Sequence, residues 1–208
     1  MQISGESNLL ISTAETGLTE NEKINIIEFH FSKIMETLGL DLNDHNLKET
    51  PFRVAKMYVT EIFEGLNKET FPKISLFDNT YEYNEMLIEK GIQVYSYCER
   101  HFLPFIGKAH VAYIPGKKVI GLSKINRIVK YFARRPQVQE RLTIEISNAL
   151  KNILQTDDVA VYIEAKHLCV SARGVEDTNS VTVTTCLCGR FSQSENKDAF
   201  YAAFKGRP

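Results

Sequence analysis

The feature that most constrains this chain is a hydrophobic period that changes twice. Val159, Val161, Ile163 and Ala165 alternate with other residues, which predicts a strand from 159 to 170 with one buried face. The Val- and Thr-rich stretch from 180 to 191 reads as its antiparallel partner. Earlier, 93–98 is β-prone through Val94, Tyr95 and Tyr97, and 106–114 alternates in part before the Pro115-Gly116 turn. Between these strand pairs the period becomes helical. Ile125, Ile128, Val129 and Phe132 share one stripe, with Ser123 as N-cap. Pro136 opens a second helix carrying Val138, Leu142, Ile146, Ala149, Leu150 and Ile153. Residues 119–122 are expected to continue the sheet. Strand pairs flanking a helix pair predict an α+β fold, with helices on one face of an antiparallel sheet. So few strands leave open edges, which favours pairing between subunits.

Upstream, two amphipathic helices are expected. The first has Ile24, Ile27, Phe31, Ile34 and Leu38 at helical spacing and Gly39 as C-cap; the second starts at Thr50-Pro51, with Thr50 as N-cap, and runs to Gly65. Residues 1–19 are polar and aperiodic and read as a flexible arm. The expected organisation is an arm over 1–19, a helical segment over 20–66 and the main domain over 67–208. A chain of 208 residues with 43% hydrophobic content can bury a full core without metal or disulfide staples. A net charge of -1 argues against bulk nucleic-acid binding. No apolar run approaches the roughly 20 residues of a membrane span. The N-terminus also lacks the pattern of a secretory signal, so the expected location is cytoplasmic, with the four cysteines as reduced thiols.

Two Cys/His pairs carry the chemistry. Cys98 and His101 form a C-x-x-H step at a strand end, and His167 and Cys169 form an H-x-C step on a later strand. Positions i and i+2 of a strand face the same side, so His167 and Cys169 are expected to share one cleft. Thiolate and imidazole suit zinc: four ligands would close a structural site, and three plus water would leave a catalytic one. Simple burial without metal is the alternative. Cys186 and Cys188 read as small buried hydrophobes on one strand face, poorly placed for a disulfide. Cations that could hold phosphate are Arg53 and Lys56 on the second helix, Lys124 and Arg127 beside Ser123, and Arg173 after Cys169. Each could equally be a solvated surface charge, and Arg134-Arg135 are read that way. Glu140 could accept hydrogen bonds from a purine or pair with a neighbouring cation.

Several long segments together resemble GTP cyclohydrolase I. They are Tyr97-Cys98-Glu99-Arg100-His101-Phe102-Leu103-Pro104, Gly121-Leu122-Ser123-Lys124-Ile125-Asn126-Arg127, Arg135-Pro136-Gln137-Val138-Gln139-Glu140-Arg141-Leu142 and His167-Leu168-Cys169-Val170-Ser171-Ala172-Arg173-Gly174. Thr50-Pro51-Phe52-Arg53-Val54-Ala55-Lys56 resembles the family's N-terminal helix. The resemblance implies the tunnelling fold, in which ββααββ units of several subunits close into a barrel, and a homodecamer with active sites at subunit interfaces. It implies zinc on Cys98, His101 and Cys169, and GTP as substrate. The triphosphate would lie on Lys124, Arg127 and Arg173, with Arg53 reaching in from a neighbouring subunit and Lys56 also binding substrate; Ser123 and Arg100 are candidate catalytic residues. Glu140 and Gln139 would hold the guanine, and His167 would move protons. The implied reaction opens the purine at C8, releases formate and yields 7,8-dihydroneopterin triphosphate.

One departure stands at Arg100, where the family carries a second histidine. Arginine cannot act as an acid or base near neutral pH, although it can donate hydrogen bonds to developing negative charge. The alternatives to a working enzyme are a variant stalled at a ring-opened intermediate and a non-catalytic GTP-binding regulatory module.

Overall fold

The computed structural model describes residues 16–205, so most of the predicted N-terminal arm lies outside the described residues. The elements are α1 (Glu20–Thr37), α2 (Thr50–Met57), β1 (Leu76–Asp78), β2 (Leu87–Cys98), β3 (Pro104–Tyr113), β4 (Lys118–Ile120), α3 (Leu122–Ala133), β5 (Pro136–Gln137), α4 (Gln139–Leu154), β6 (Val159–His167), α5 (Leu168–Ser171), β7 (Thr182–Leu187) and α6 (Ser194–Lys205). The fold is α+β, with a main sheet ordered β5-β2-β3-β6-β7. β2, β3, β6 and β7 pair antiparallel in sequence, as the predicted strand pairs require.

The alternation in β6 sets the layers. Val159, Val161, Ile163 and Ala165 pack against Ile125, Ile128 and Val129 of α3 and Leu142, Ile146 and Leu150 of α4. Full burial of each such aliphatic side chain contributes about 1.5–3 kcal/mol, so this stripe alone specifies which face carries the helix pair. The intervening Ala160 and Tyr162 meet Phe191 and Phe200 on the opposite face. α6 therefore covers part of the face that the sequence pattern leaves open. Gly107 permits the close β3–β6 approach: a Cβ there would lie 1.9 Å from the Glu164 carbonyl oxygen.

Several local expectations are corrected. Ser123 does not cap α3; Gly121 is the N-cap, and the helix lacks a side-chain cap. Thr50 is likewise already helical, with Glu49 before it as N-cap. Pro136 does not open α4. It lies in β5, where Tyr97↔Pro136 and Cys98↔Gln137 pair in parallel, and the helix begins only at Gln139. Residues 118–120 leave the main sheet and pair with β1 instead. α2 continues as a π-helical stretch, Tyr58–Ile62, before a 3-10 turn.

Arg135 is not a surface charge. It is buried, lies 3.6 Å from Glu145, stacks its guanidinium 4.5 Å from the Tyr131 ring centroid, and donates to the Gly65 carbonyl at 2.8 Å. Arg134 donates to the Glu61 carbonyl at 2.9 Å. These bonds fasten the α2 segment to the end of α3.

Candidate active site

The site is built at the sheet end where β2 finishes and β3 begins. The turn between them is tied by Cys98 N–H to the Leu103 carbonyl (2.8 Å) and Phe102 N–H to the Cys98 carbonyl (2.8 Å). Phe102 takes a left-handed φ of 54°, which lets the chain reverse. Its ring is held by Phe63 and Tyr58, at centroid distances of 5.1 and 6.3 Å. The turn brings Cys98 Sγ to 3.7 Å from His101 Nδ1.

β6 delivers the third potential metal donor by ending. Phe105↔His167 is the last β3–β6 pair, after which the chain turns into the one-turn helix α5. Cys169 is thus helical and does not share a strand face with His167, correcting the period-2 expectation. The donor atoms of Cys98, His101 and Cys169 all lie within 4.8 Å of one another. Two sulfurs and a nitrogen this close need only a small inward movement to reach the roughly 2.0–2.3 Å bonds of one zinc, with a fourth position left open. Burial pushes the Cys169 thiol up, the adjacent Cys98 adds to this, and Arg173 opposes it. Two half-buried thiols facing an imidazole are a set that a divalent cation would satisfy.

His167 stands beside this set and outside it. Its ring stacks on Phe105 at 4.6 Å with an interplanar angle of 9°. Its Nε2 is 2.8 Å from Gln139 Oε1. The Gln139 amide is fixed because its Nε2 donates to the Ile163 carbonyl (3.1 Å), the Thr182 carbonyl (3.0 Å) and Thr184 Oγ1 (3.1 Å). With Oε1 turned to the ring, Nε2 carries the imidazole proton and Nδ1 is left as the basic atom. Burial lowers the His167 pKa, with Glu140 opposing. Gln139 is itself buried and its polar atoms face protein partners, so the geometry makes it a support for His167.

A profile of GTP cyclohydrolase I matches residues 27–205. The chain belongs to the GTP cyclohydrolase I family. The GTP cyclohydrolase 1 of Flavobacterium johnsoniae is 56% identical over 183 residues, covering 88% of this chain and 82% of that protein. The GTP cyclohydrolase 1 of Aeromonas salmonicida is 52% identical over 207 residues, covering 99% of this chain and 94% of its relative. That of Photobacterium profundum is 50% identical over 204 residues, covering 93% of this chain and 94% of the relative.

One chain of this GTP cyclohydrolase I family member does not gather every residue singled out in the sequence. Cys98, His101, Cys169, His167 and Gln139 meet at one end of the sheet. Arg173 and Glu140 are near enough to act electrostatically on Cys169 and His167. Ser123, Lys124 and Arg127 sit elsewhere. Between them on α3, Asn126 donates to Glu89 Oε1 at 3.1 Å, and Glu89 and Cys98 lie near opposite ends of β2. That span is about 25–30 Å of extended strand, longer than a nucleoside triphosphate. Arg53 and Lys56 are exposed on α2 and form no ion pair or side-chain hydrogen bond among the described residues. Arg100, in the turn, is also exposed and has no such partner among the described residues.

The sequence reading missed the bracing of the turn between β2 and β3. Glu99 N–H donates to the Gln137 carbonyl (2.9 Å), and Glu99 Oε2 accepts from Arg141 Nη2 at 2.6 Å. Arg141 Nε also donates to Gln137 Oε1 at 2.9 Å. The only sequence signal for this was opposite charge inside two conspicuous motifs, which gives no pairing by itself.

Proposed function

We propose that this chain is a zinc-dependent GTP cyclohydrolase I. It opens the purine ring of GTP at C8, releases formate and yields 7,8-dihydroneopterin triphosphate. The observation that carries the reading is the convergence of Cys98, His101 and Cys169, with His167 held beside them. Membership of a family whose sampled relatives are all GTP cyclohydrolases 1 supports the same reaction.

Zinc on these three ligands would supply a Lewis acid and bring the pKa of a bound water to near 7. The protein's own residues do the rest. His167, donating to Gln139 through Nε2, presents Nδ1 to take and return the protons that ring opening and reclosure move. Glu140, at the start of α4 and electrostatically linked to His167, accepts from the guanine amino and ring N–H groups. Arg173 brings positive charge to the cluster. Arg100, unable to shuttle protons, offers guanidinium donors to negative charge developing on the opening ring.

The triphosphate falls to Lys124 and Arg127 of a neighbouring subunit, with Ser123 beside them and Arg53 and Lys56 from another. A closed homo-oligomer, a decamer in our reading, satisfies this because each chain then gives metal at one end and cations at the other. All four cysteines are free thiols, which fits a reducing cytoplasm.

Co-expression tests the shared site directly. Cys98→Ala and Arg127→Ala chains are each expected to release no measurable formate from GTP. Mixed oligomers recover about a quarter of wild-type formate release, the random share of sites with both halves intact. No recovery in mixed oligomers would overturn the shared site. Wild-type protein that binds GTP but releases no formate would leave a binding module.

A further inference from the structure

Cys186 and Cys188 lie away from the cluster just described. They occupy one face of β7 and its extension, and Cys186 pairs in register with Val161, well down β6 from His167. That places them about 20 Å along the strand from the proposed zinc ligands. Their sulfurs are 3.6 Å apart and half-buried, and both thiols are free.

The pocket around them is a polar seam between β7 and α4. Thr143, Ser147 and Lys151 recur every fourth residue on α4, a rise of about 6 Å. Thr184, Cys186 and Cys188 recur every second residue on the strand, a rise of about 6.7 Å. The near-equal steps bring the two rows into register. Thr143 and Thr184 hydroxyls are 2.7 Å apart, and Ser147 Oγ is 3.8 Å from Cys188 Sγ. Lys151 is close enough to interact electrostatically with both thiols, and Asp157 holds its ammonium at 2.8 Å.

We propose that Cys186 and Cys188 form a second metal site, a two-thiolate seat for a soft monovalent cation, copper(I) in chemical class. Two sulfurs each about 2.3 Å from one ion are at most about 4.6 Å apart, so the observed 3.6 Å lets one ion touch both. Zinc is not served here, because it takes four ligands and the one Cys/His/Asp/Glu cluster of three or more among the described residues is Cys98, His101 and Cys169. Thiolates with few further ligands select copper(I). Binding releases two protons and leaves a dithiolate complex of charge -1 beside the Lys151–Asp157 ion pair, whose ammonium interacts with both sulfurs.

A disulfide fits less well. Residues i and i+2 of an extended strand are about 6.7 Å apart at Cα, the upper limit for disulfides. The backbone is also pinned, by Cys186 opposite Val161 and by Cys188 N–H on the Val159 carbonyl at 2.9 Å.

The test uses the full-length, zinc-loaded protein under anaerobic conditions, titrated with copper(I) buffered by bicinchoninate. One copper per chain is expected, with zinc retained, formate release unchanged, and Cys186 and Cys188 protected from iodoacetamide. Cys186→Ser and Cys188→Ser should each weaken copper binding by more than about 100-fold, the upper range for losing even an outer-shell partner, with zinc content intact. Three results overturn the site: copper entering only by displacing zinc, equal copper retention in the double variant, or an isolated chain lighter by two hydrogens with both thiols unreactive. Zinc content and formate release, read in the same samples, keep a failure here distinct from a failure of the cyclohydrolase reading.

Discussion

Replacing Gln139 by methionine separates two roles that the sequence could not. Methionine keeps the length and burial of the side chain but neither donates nor accepts well. Gln139→Met leaves the Ile163 and Thr182 carbonyls and Thr184 Oγ1 without an amide donor, and His167 Nε2 without its 2.8 Å acceptor. Two amide N–H groups shared among three acceptors, and the bond to His167, at about 1 kcal/mol each and less what methionine regains in packing, give a loss of about 2–3 kcal/mol. Thermal unfolding should move down by roughly 4–12 °C for a chain of this size. The freed imidazole then samples both tautomers and orientations. Formate release should fall about 10²- to 10⁴-fold, as expected when a general acid–base group is lost. Zinc content should stay unchanged because Gln139 touches none of the three ligands. The decisive readout is the split between kcat and KM. A support for His167 lowers kcat, whereas a guanine-binding side chain raises KM with kcat near its wild-type value. A raised KM with unchanged kcat would refute the positioning role and restore Gln139 to the substrate.

Three further outcomes follow from the same geometry. Cys169→Ala should lose zinc and formate release together, and normal zinc content by metal analysis would sink the ligand assignment. Arg100→Ala should lower formate release by about 10²-fold with zinc retained, the cost of removing one donor to developing charge; an unchanged rate would make Arg100 a bystander. His110 is expected to make α6 docking pH-dependent. It is buried against Phe204 with a ring distance of 4.1 Å, and its Nδ1 has no hydrogen-bond partner among the described residues. Burial lowers its pKa from 6.5, with Lys108 and Lys90 acting the same way and Glu164 opposing. The folded state therefore favours the neutral ring, and stability is lost as pH falls below 6.5 and through the depressed folded value. Protection of α6 amides, corrected for the intrinsic pH dependence of exchange, should fall over that range in wild type and not in His110→Phe; equal pH dependence in both would reject the account.

The strand pairs, the helix pair and the Cys/His cluster were legible because each rests on a local rule. The alternation of Val159, Val161, Ile163 and Ala165 can bury only one face, and that face is the one α3 and α4 cover. The C-x-x-H step closes as a turn with its sulfur and nitrogen adjacent. Boundaries were read less well where tertiary bonds compete with local preference. Pro136 has the signature of a helix start but is drawn into pairing with Tyr97. Ser123 has the chemistry of a cap, yet Gly121 reaches that position first because β4 pairs with β1 rather than with the main sheet.

The sequence by itself determined the α+β class and singled out Cys98, His101, Cys169 and His167 as chemistry-bearing residues, since residue type and period carry that information. Only the tertiary structure decided which groups meet. β6 ends at His167, so Cys169 turns into the cluster while His167 stays with Phe105 and Gln139. A buried arginine beside a buried glutamate, and the separation of Lys124 and Arg127 from Cys98, depend on contacts between distant segments. Such contacts are set by packing and register, and no short-range pattern encodes them.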